Sequence, residues 1–353
     1  MKAIPAVLPC LLVACVAAGS VLPADLSTEL ASGIRPVPGF FSAAEAYFSP
    51  DGTRIVCNAN FEPGAPHHTV TICANGTEPV RINDRGEDAC SFFTPDGRSV
   101  LFTSTRDHPE MAAGSWHDAD DYPQGAEIYL CDLDGGNRRR LTDNACYDAE
   151  VTMSPDGRWV LFARQERGRL DLFRMRPDGS GETRITDTPD WQEGGSFYLP
   201  DNETILYRAW RIEDQGKSPK PMSLFTVRDD GSGVRMLTPY DGRTCWSPYP
   251  APDGRHCVFA KVFPGPGGRP NFEIVWLDME TGDETRLTND PAFDGFPTLS
   301  GDGRTLLYSS SRGSPPGERR MNIHTMDLGP LLEAERAAHP RASRPTSGPH
   351  PRA

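Results

Sequence analysis

The stretch Ser-Pro-Asp-Gly-Arg-Trp-Val-Leu-Phe at residues 154–162 decides the fold. Proline fixes φ at the start of a tight turn, aspartate hydrogen-bonds to nearby backbone groups, and glycine accepts a positive φ. The apolar run that follows is typical of a short, buried β-strand. The stretch therefore predicts a turn followed by a strand, and the same arrangement recurs along the chain.

Five further copies of this turn precede strand-like segments in the same way. The six turns occupy residues 49–52, 94–97, 154–157, 199–202, 251–254 and 300–303. Their aspartates are 45, 60, 45, 52 and 49 residues apart, which matches the length of a propeller blade. The sixth residue after each aspartate is aromatic in five copies, which predicts packing between blades. These residues are Cys57, Phe102, Phe162, Tyr207, Phe259 and Tyr308.

Two further strands follow in each repeat, as in Glu-Ile-Tyr-Leu-Cys at 127–131 and Arg-Leu-Thr at 140–142. Four short strands per repeat predict an all-β, six-bladed β-propeller over residues 34–328. The sixth repeat lacks a fourth strand, and residues 34–37 stand where other repeats place Arg-Leu-Thr. We therefore expect the N-terminal strand to complete the last blade and close the ring, which removes exposed sheet edges.

The repeats resemble the WD40-like Pro-Asp repeats of the TolB family of bacterial β-propellers. The resemblance rests on residues 154–162, on Leu-Phe-Arg-Met-Arg-Pro-Asp-Gly-Ser-Gly at 172–181 and on Arg-Ile-Thr at 184–186. The resemblance is specific for the fold but gives only weak information about function. Propellers of this kind serve as periplasmic scaffolds, as peptidase domains and occasionally as lyases.

The N-terminus resembles an export signal, because Lys2 precedes an apolar stretch over residues 3–18 that ends in small residues. Two interpretations remain open. Leu-Val-Ala-Cys at 12–15 resembles a lipobox, in which Cys15 is lipidated, whereas Ala17 or Ala18 offers an ordinary cleavage site. We expect an exported protein, periplasmic or at the cell surface, with residues 1–20 as signal and 21–33 as a leader. The Pro-, Arg-, His- and Ala-rich residues 329–353 predict a disordered tail.

Cleavage after the signal leaves seven cysteines, so at least one thiol is free or pairs between chains. Cys57 and Cys73 fall on neighbouring predicted strands and are candidates for a disulfide. Most of the others lie in strand-like apolar runs, where a buried thiol packs as a small hydrophobic group. No Cys or His spacing indicates zinc.

The net charge of −13 argues against nucleic acid as a partner, because an acidic protein repels a phosphate backbone. The charge attracts cations or a basic protein surface, or it serves solubility alone. No Gly-x-Ser-x-Gly elbow, HExxH or P-loop is present in the sequence. We therefore predict a non-catalytic, monomeric module that binds a protein partner in the cell envelope. The alternative is a polysaccharide lyase or glycosidase with carboxylates on the channel face, since such sites leave no local motif.

Carboxylates recur at the start of the predicted innermost strands, on the face where the longest loops rise. These candidate binding residues are Asp88, Asp148, Glu150, Glu193 and Asp294. A ring of carboxylates around the channel mouth would bind Ca²⁺ or a basic partner side chain. Alternatively, each carboxylate caps a turn by accepting hydrogen bonds from local backbone amides. The loop at residues 106–126 is a second candidate metal site, with His108, Glu110, His117, Asp118, Asp120 and Asp121.

Overall fold

The structure is a computed structural model that describes residues 24–111, 114–116, 121–315, 318 and 320–338. Its repeat turns have the geometry that the sequence predicts. In the third repeat Ser154 Oγ donates to Asp156 Oδ1 at 2.8 Å, and the backbone N–H of Trp159 donates to Ser154 Oγ at 3.0 Å. Gly157 has φ of 73°, in the left-handed region that favours glycine. Each turn therefore fixes the start of the next strand.

The part of the chain that the structure describes forms six four-stranded antiparallel sheets, which confirms the all-β, six-bladed propeller. Helix α1 (Ala24–Ser32) and strand β1 (Arg35–Pro36) precede blade 1. Blade 1 contains β2 (Ser42–Phe48), β3 (Arg54–Asn60), β4 (His68–Cys73) and β5 (Val80–Arg81). Blade 2 contains β6 (Asp88–Phe93), β7 (Ser99–Ser104), β8 (Glu127–Asp132) and β9 (Arg139–Arg140). Blade 3 contains β10 (Tyr147–Met153), β11 (Val160–Glu166), β12 (Arg169–Met175) and β13 (Thr183–Arg184).

The second half of the ring repeats the same order. Blade 4 contains β14 (Trp191–Tyr198), β15 (Thr204–Arg211), β16 (Ser223–Arg228) and β17 (Arg235–Met236). Blade 5 contains β18 (Cys245–Pro250), β19 (His256–Pro264), β20 (Pro270–Asp278) and β21 (Glu284–Arg286). Blade 6 contains β22 (Asp294–Leu299), β23 (Thr305–Ser310), β24 (Asn322–Asp327) and β1, and helix α2 (Gly329–Ala338) follows it. Short 3-10 helices cover Ile212–Asp214 and Pro266–Gly268.

Blade 6 combines strands from both ends of the propeller. Strand β1 lies antiparallel to β24, with Arg35 opposite Thr325 and Pro36 opposite His324. Helix α2 packs beside this blade, where Leu331 is 3% exposed and shares an apolar cluster with Leu30 of α1. The prediction of a disordered tail is therefore wrong for residues 329–338, because that segment has an apolar face to bury. Residues 339–353 lie outside the described part, as does the predicted signal with Cys15.

The space between neighbouring blades holds the repeated aromatic position. The six side chains at that position are at most 2% exposed, which confirms them as core residues. The seven described cysteines are free thiols. Cys57 lies opposite Val70 and Cys73 opposite Arg54, so the register keeps the two thiols apart and the proposed disulfide is absent. No helix in the described ranges is long and apolar enough to cross a membrane.

Candidate functional site

The innermost strand of every blade is interrupted by a β-bulge at the same place. The pairing with the second strand shifts, in blade 3 for instance, between Ala149 and Thr152. A bulge adds a residue to one strand, bends that strand and re-aims a side chain. At each bulge the sixth residue before the repeat aspartate has a φ of 48–57°. These bulge residues are Glu45, Cys90, Glu150, Gly195, Ser247 and Phe296.

All six bulge residues line one central cavity of about 790 Å³. The loops that rise from the same face supply the outer walls, including Trp116 and residues 217–220. This volume lies in the range of pockets that take small molecules or short peptide segments. Eight aromatic side chains contribute to the walls. They are Trp116, Tyr122, Tyr147, Trp210, Trp246, Phe272, Phe293 and Phe296.

An aromatic layer closes the ring two residues beyond the bulges. It is formed by Tyr47, Phe92, Phe197 and Tyr249, whose contacting ring centroids lie 5.0–6.2 Å apart. The two remaining blades place Thr152 and Thr298 at this level. The Thr152 hydroxyl donates to the backbone oxygen of Ser196 at 2.9 Å. The cavity is therefore a pocket with a floor, and not an open channel.

Glu150 and Arg208 form an ion pair inside this pocket. Arg208 Nη2 donates to Glu150 Oε1 at 2.6 Å, and the side chains are 8% and 12% exposed. Burial opposes the charge of Arg208, yet the charge of Glu150 and its hydrogen bond raise the pKa of the guanidinium overall. Gly194 and Gly195 make room for the pair, because a Cβ on either glycine would meet Glu150 or Arg208. The pair therefore depends on two residues without side chains.

Glu45 occupies the matching position in blade 1. Its Oε2 accepts hydrogen bonds from Asn58 Nδ2 at 2.6 Å and from the backbone N–H of Cys90 at 3.0 Å. Glu150 accepts a hydrogen bond from the backbone N–H of Gly195 in the same way. Each carboxylate thus binds the bulge of the next blade around the ring. Both glutamates serve the architecture of the pocket as well as its charge.

Four of the five carboxylates proposed from the sequence do not line the pocket. Asp88 is 3% exposed and accepts hydrogen bonds from Asn83 Nδ2 at 2.6 Å and from the backbone N–H of Thr69 at 2.8 Å. Burial raises the pKa of Asp88 to about 6. Asp148 is fully buried and pairs with Arg164 Nε at 2.6 Å, and burial raises the pKa of Asp148.

The other two are also enclosed within the protein. Asp294 is fully buried and pairs with Arg312 Nη2 at 2.6 Å. Glu193 is 2% exposed, and burial raises the pKa of Glu193 to about 7. Within the described chain, the structure thus brings only Glu150 of the five proposed residues into the pocket. Binding of Ca²⁺ or a basic side chain by the other four stays a prediction.

The predicted metal loop is only partly described, because His117, Asp118 and Asp120 lie outside the described residues. One nearby group of ligand-type side chains consists of His108, Glu127 and Asp143. The Arg140 guanidinium lies among them, with Nη2 at 2.8 Å from His108 Nε2, 2.9 Å from Glu127 Oε1 and 2.8 Å from Asp143 Oδ1. A cation already neutralises this cluster, so the group does not fit a metal site.

The sequence interpretation found Glu150 but missed the other five bulge residues and the ring that they form. Their side chains differ in size, charge and polarity, so they form no recognisable pattern. The one local signal is the pair Gly194-Gly195 in the middle of a strand, since glycine in a strand interior indicates a bulge or a close approach. In the structure, Arg208 stands opposite Gly194 on the neighbouring strand.

Comparison with known proteins relates the chain to one group of bacterial propellers. No family model matches it. An uncharacterized protein of Agrobacterium fabrum is 29% identical over 222 residues, covering 61% of this chain and 69% of that protein. The Tol-Pal system protein TolB of Francisella tularensis subsp. mediasiatica is 23% identical over 256 residues, covering 58% of each. The chain therefore spans little more than half the length of that TolB.

Solved structures show the same fold. A TolB-type protein from Agrobacterium tumefaciens superposes with a TM-score of 0.57 and 21% identity, covering 81% of this chain and 90% of that one. TolB from Acinetobacter baumannii gives a TM-score of 0.52 and 19% identity, covering 82% and 65%. Oligogalacturonate lyase from Vibrio parahaemolyticus gives 0.52 and 12% identity, covering 84% and 93%. At these identities the likeness concerns the fold alone.

Proposed function

Because the chain is a TolB-like six-bladed β-propeller, we propose that it is a non-catalytic binding module of the cell envelope. It takes a short segment of a partner protein into the aromatic-lined pocket at the centre of the ring. This proposal follows the relatives that belong to the Tol-Pal system, whose name indicates work within a protein assembly.

The observation that carries the proposal is the pocket itself. Its walls hold eight aromatic rings, and its floor is closed by a further aromatic layer. Aromatic side chains supply large, rigid contact surfaces with a polar edge on Trp and Tyr, which is why they are enriched in binding sites. A peptide segment that inserts one or two apolar side chains fits such a pocket.

The state of the two pocket carboxylates favours binding over catalysis. A lyase or glycosidase needs a carboxyl group that exchanges protons with substrate. Glu150 is held by Arg208 and the backbone of Gly195, and Glu45 by Asn58 and the backbone of Cys90. These donors occupy both carboxylate oxygens of Glu150 and Oε2 of Glu45. The polysaccharide lyase or glycosidase remains the alternative, supported by the fold likeness to oligogalacturonate lyase alone.

We further propose that the protein is exported and works as a monomer in the periplasm or at the cell surface. The support is the apolar N-terminal segment over residues 3–18 and the relation to TolB. Lipidation at Cys15 is part of this proposal and has its own test. Mass spectrometry of the native protein would show a lipidated Cys15 as the first residue, or a start beyond Ala17.

Photo-crosslinking from within the pocket tests the binding function. We would place a benzophenone amino acid at Trp246 or at Phe296, both in the pocket wall, and illuminate cells or envelope extract. The control position is Trp159, which follows a repeat turn on the opposite face. A discrete crosslinked partner from the pocket positions and none from Trp159 supports the proposal. Crosslinks of equal yield at all three positions, or none at the pocket positions, would overturn it.

A further inference from the structure

Resting on the proposed binding function, we propose that the pocket recognises a carboxylate on its ligand. The carboxylate is that of an acidic residue, or of the chain end, in a partner peptide. The recognition groups are Arg208, Trp210 and Lys220, on blade 4 and the loop that follows β15. This names the chemistry of the ligand, which the fold comparison leaves open.

The first observation is that two donors in this wall have no acceptor. Arg208 Nε and Trp210 Nε1 are buried and form no hydrogen bond with the part of the protein that the structure describes. Arg208 is 6% exposed and Trp210 is fully buried, and both side chains line the pocket. Buried N–H groups almost always have a partner, so two donors without one in the same pocket wall call for an acceptor from outside the chain.

The second observation is the arrangement of charge around the Trp210 ring. Lys220 Nζ lies 4.9 Å from the centroid of that ring, and Arg208 Cζ lies 5.6 Å from it. Two cations therefore lie over one indole ring, and the N–H of that ring is a further hydrogen-bond donor. Charge-assisted hydrogen bonds to a carboxylate are the strongest hydrogen bonds that such groups form.

The third observation concerns the negative side of the pocket. The described lining residues include two carboxylates, Glu45 and Glu150, and three cations, of which Arg208 pairs with Glu150 and Lys217 with Asp214. Both carboxylates already accept hydrogen bonds from side-chain and backbone donors of the protein. A basic ligand would have to compete with those donors, whereas an acidic ligand meets Arg208 Nε and Trp210 Nε1, for which the described part of the protein supplies no acceptor. The pocket of this acidic protein therefore favours an anionic group.

Two matched peptide pools test the inference. Both consist of random hexapeptides with one fixed central position, which is Asp or Glu in the acidic pool and Asn or Gln in the amide pool. Retained peptides are counted by mass spectrometry after incubation with the full-length mature protein. We expect the acidic pool to be retained about tenfold better than the amide pool. Blocking the chain end by amidation in both pools separates a side-chain carboxylate from a terminal one.

Three variants connect the preference to the proposed groups. Lys220→Gln and Trp210→Phe should each reduce the ratio of acidic to amide peptides, because each removes one donor. Arg228→Gln is the matched control, since Arg228 lies on the same blade and pairs with Glu203 but is exposed and does not line the pocket. The double variant E150Q/R208Q should abolish the ratio without leaving a buried charge unpaired.

The outcomes separate this inference from the proposed function. Equal retention of the two pools, with crosslinking from Trp246 intact, would overturn the carboxylate preference and leave the binding function standing. A preference that survives in both Lys220→Gln and E150Q/R208Q would also overturn the assignment. Retention of neither pool, together with failed crosslinking, would overturn both proposals.

Discussion

Tyr47 and Phe197 belong to blades on opposite sides of the ring, yet their ring centroids lie only 6.0 Å apart. Phe197 also contacts Phe92 and Tyr249, so one aromatic layer joins four blades across the axis. In most of the molecule a blade contacts only its neighbours, but here opposite blades touch. The centre of the propeller is thus a small hydrophobic core of its own, which both closes the pocket and ties the ring together.

Replacing Phe197 by alanine should destabilise the whole propeller. Phe197 is 8% exposed, and truncation of a buried phenylalanine leaves a cavity that costs about 3–5 kcal/mol. Urea unfolding followed by circular dichroism would measure the change. The control is Phe61→Ala, a half-buried ring beyond the end of β3, for which we expect a loss of about 1 kcal/mol. Equal losses for the two variants would show that the central layer has no special structural role.

The Glu150–Arg208 pair should show strong coupling in a double-mutant cycle. Either single variant, Glu150→Gln or Arg208→Gln, leaves a buried charge without its partner and should cost about 3–5 kcal/mol of stability. The double variant should cost less than the sum of the two losses, by a coupling energy of about 1–3 kcal/mol. Thermal and denaturant unfolding of the four proteins provides the cycle. Additive effects would mean that the two side chains do not interact in solution.

Gly195→Ala should displace Arg208 from its position beside Glu150. The new Cβ would meet Arg208 Nη1, and the residue has a φ of 57°. Gly242→Ala is the control, because Gly242 has a φ of 89° with no atom within 4 Å of the added Cβ. The control measures the backbone strain alone, which costs about 1–2 kcal/mol of stability. Gly195→Ala should lose clearly more stability than the control, because the new Cβ also meets Arg208. Similar losses would indicate that the pair adapts to the added methyl group.

Glu193 should make stability fall as the pH rises from about 5 to 8. Burial raises its pKa from a usual 4.5 to about 7, so in this interval the folded protein binds a proton that the unfolded chain has released. The stabilisation is complete below about pH 4.5 and is lost as the pH passes 7, by up to about 3 kcal/mol. Glu193→Gln should therefore match the wild type at pH 5 and exceed its melting temperature at pH 8. The control is Glu166→Gln at an exposed position, whose melting temperature should differ from that of the wild type by the same amount at pH 5 and at pH 8. An equal difference at both pH values for Glu193→Gln would contradict the prediction.

Replacing Asp148 and Asp294 tests whether these carboxylates, which were proposed from the sequence, bind a ligand or only stabilise the fold. Replacing both with Asn removes the fully buried partners of Arg164 and Arg312, which keep only the more exposed Glu182 and Asp290, and we expect a loss of several kcal/mol. Peptide retention at a temperature where the variant is folded should be unchanged. Melting curves and the peptide pools provide both measurements. Lost retention with unchanged melting would restore these residues as binding groups.

The fold was predictable because its signals are local and repeated. A Ser-Pro-Asp-Gly turn binds its own backbone and needs nothing distant to form, and the aromatic residue six positions later follows from strand periodicity. Helix α2 was harder, because its stability comes from packing on blade 6 and not from its own composition.

The site was less predictable because a bulge changes which way a strand presents its side chains. The sequence analysis placed Asp148 and Glu150 together at the channel mouth, whereas the structure buries Asp148 against Arg164 and directs only Glu150 into the pocket. The residue that the bulge adds to the strand separates the two side chains. Glu150 and Arg208 are 58 residues apart and are brought together only when blades 3 and 4 pack.

The pairing of β1 with β24 has a consequence for how the protein is made. Arg35 leaves the ribosome early, but Thr325, which it faces in blade 6, is synthesised 290 residues later. Contacts between such distant residues form slowly, because a long chain must be closed into a loop first. Until the last strand arrives, the nascent chain has two unpaired edges and no finished ring. The late closure of the ring would leave the chain unfolded during the export that we propose.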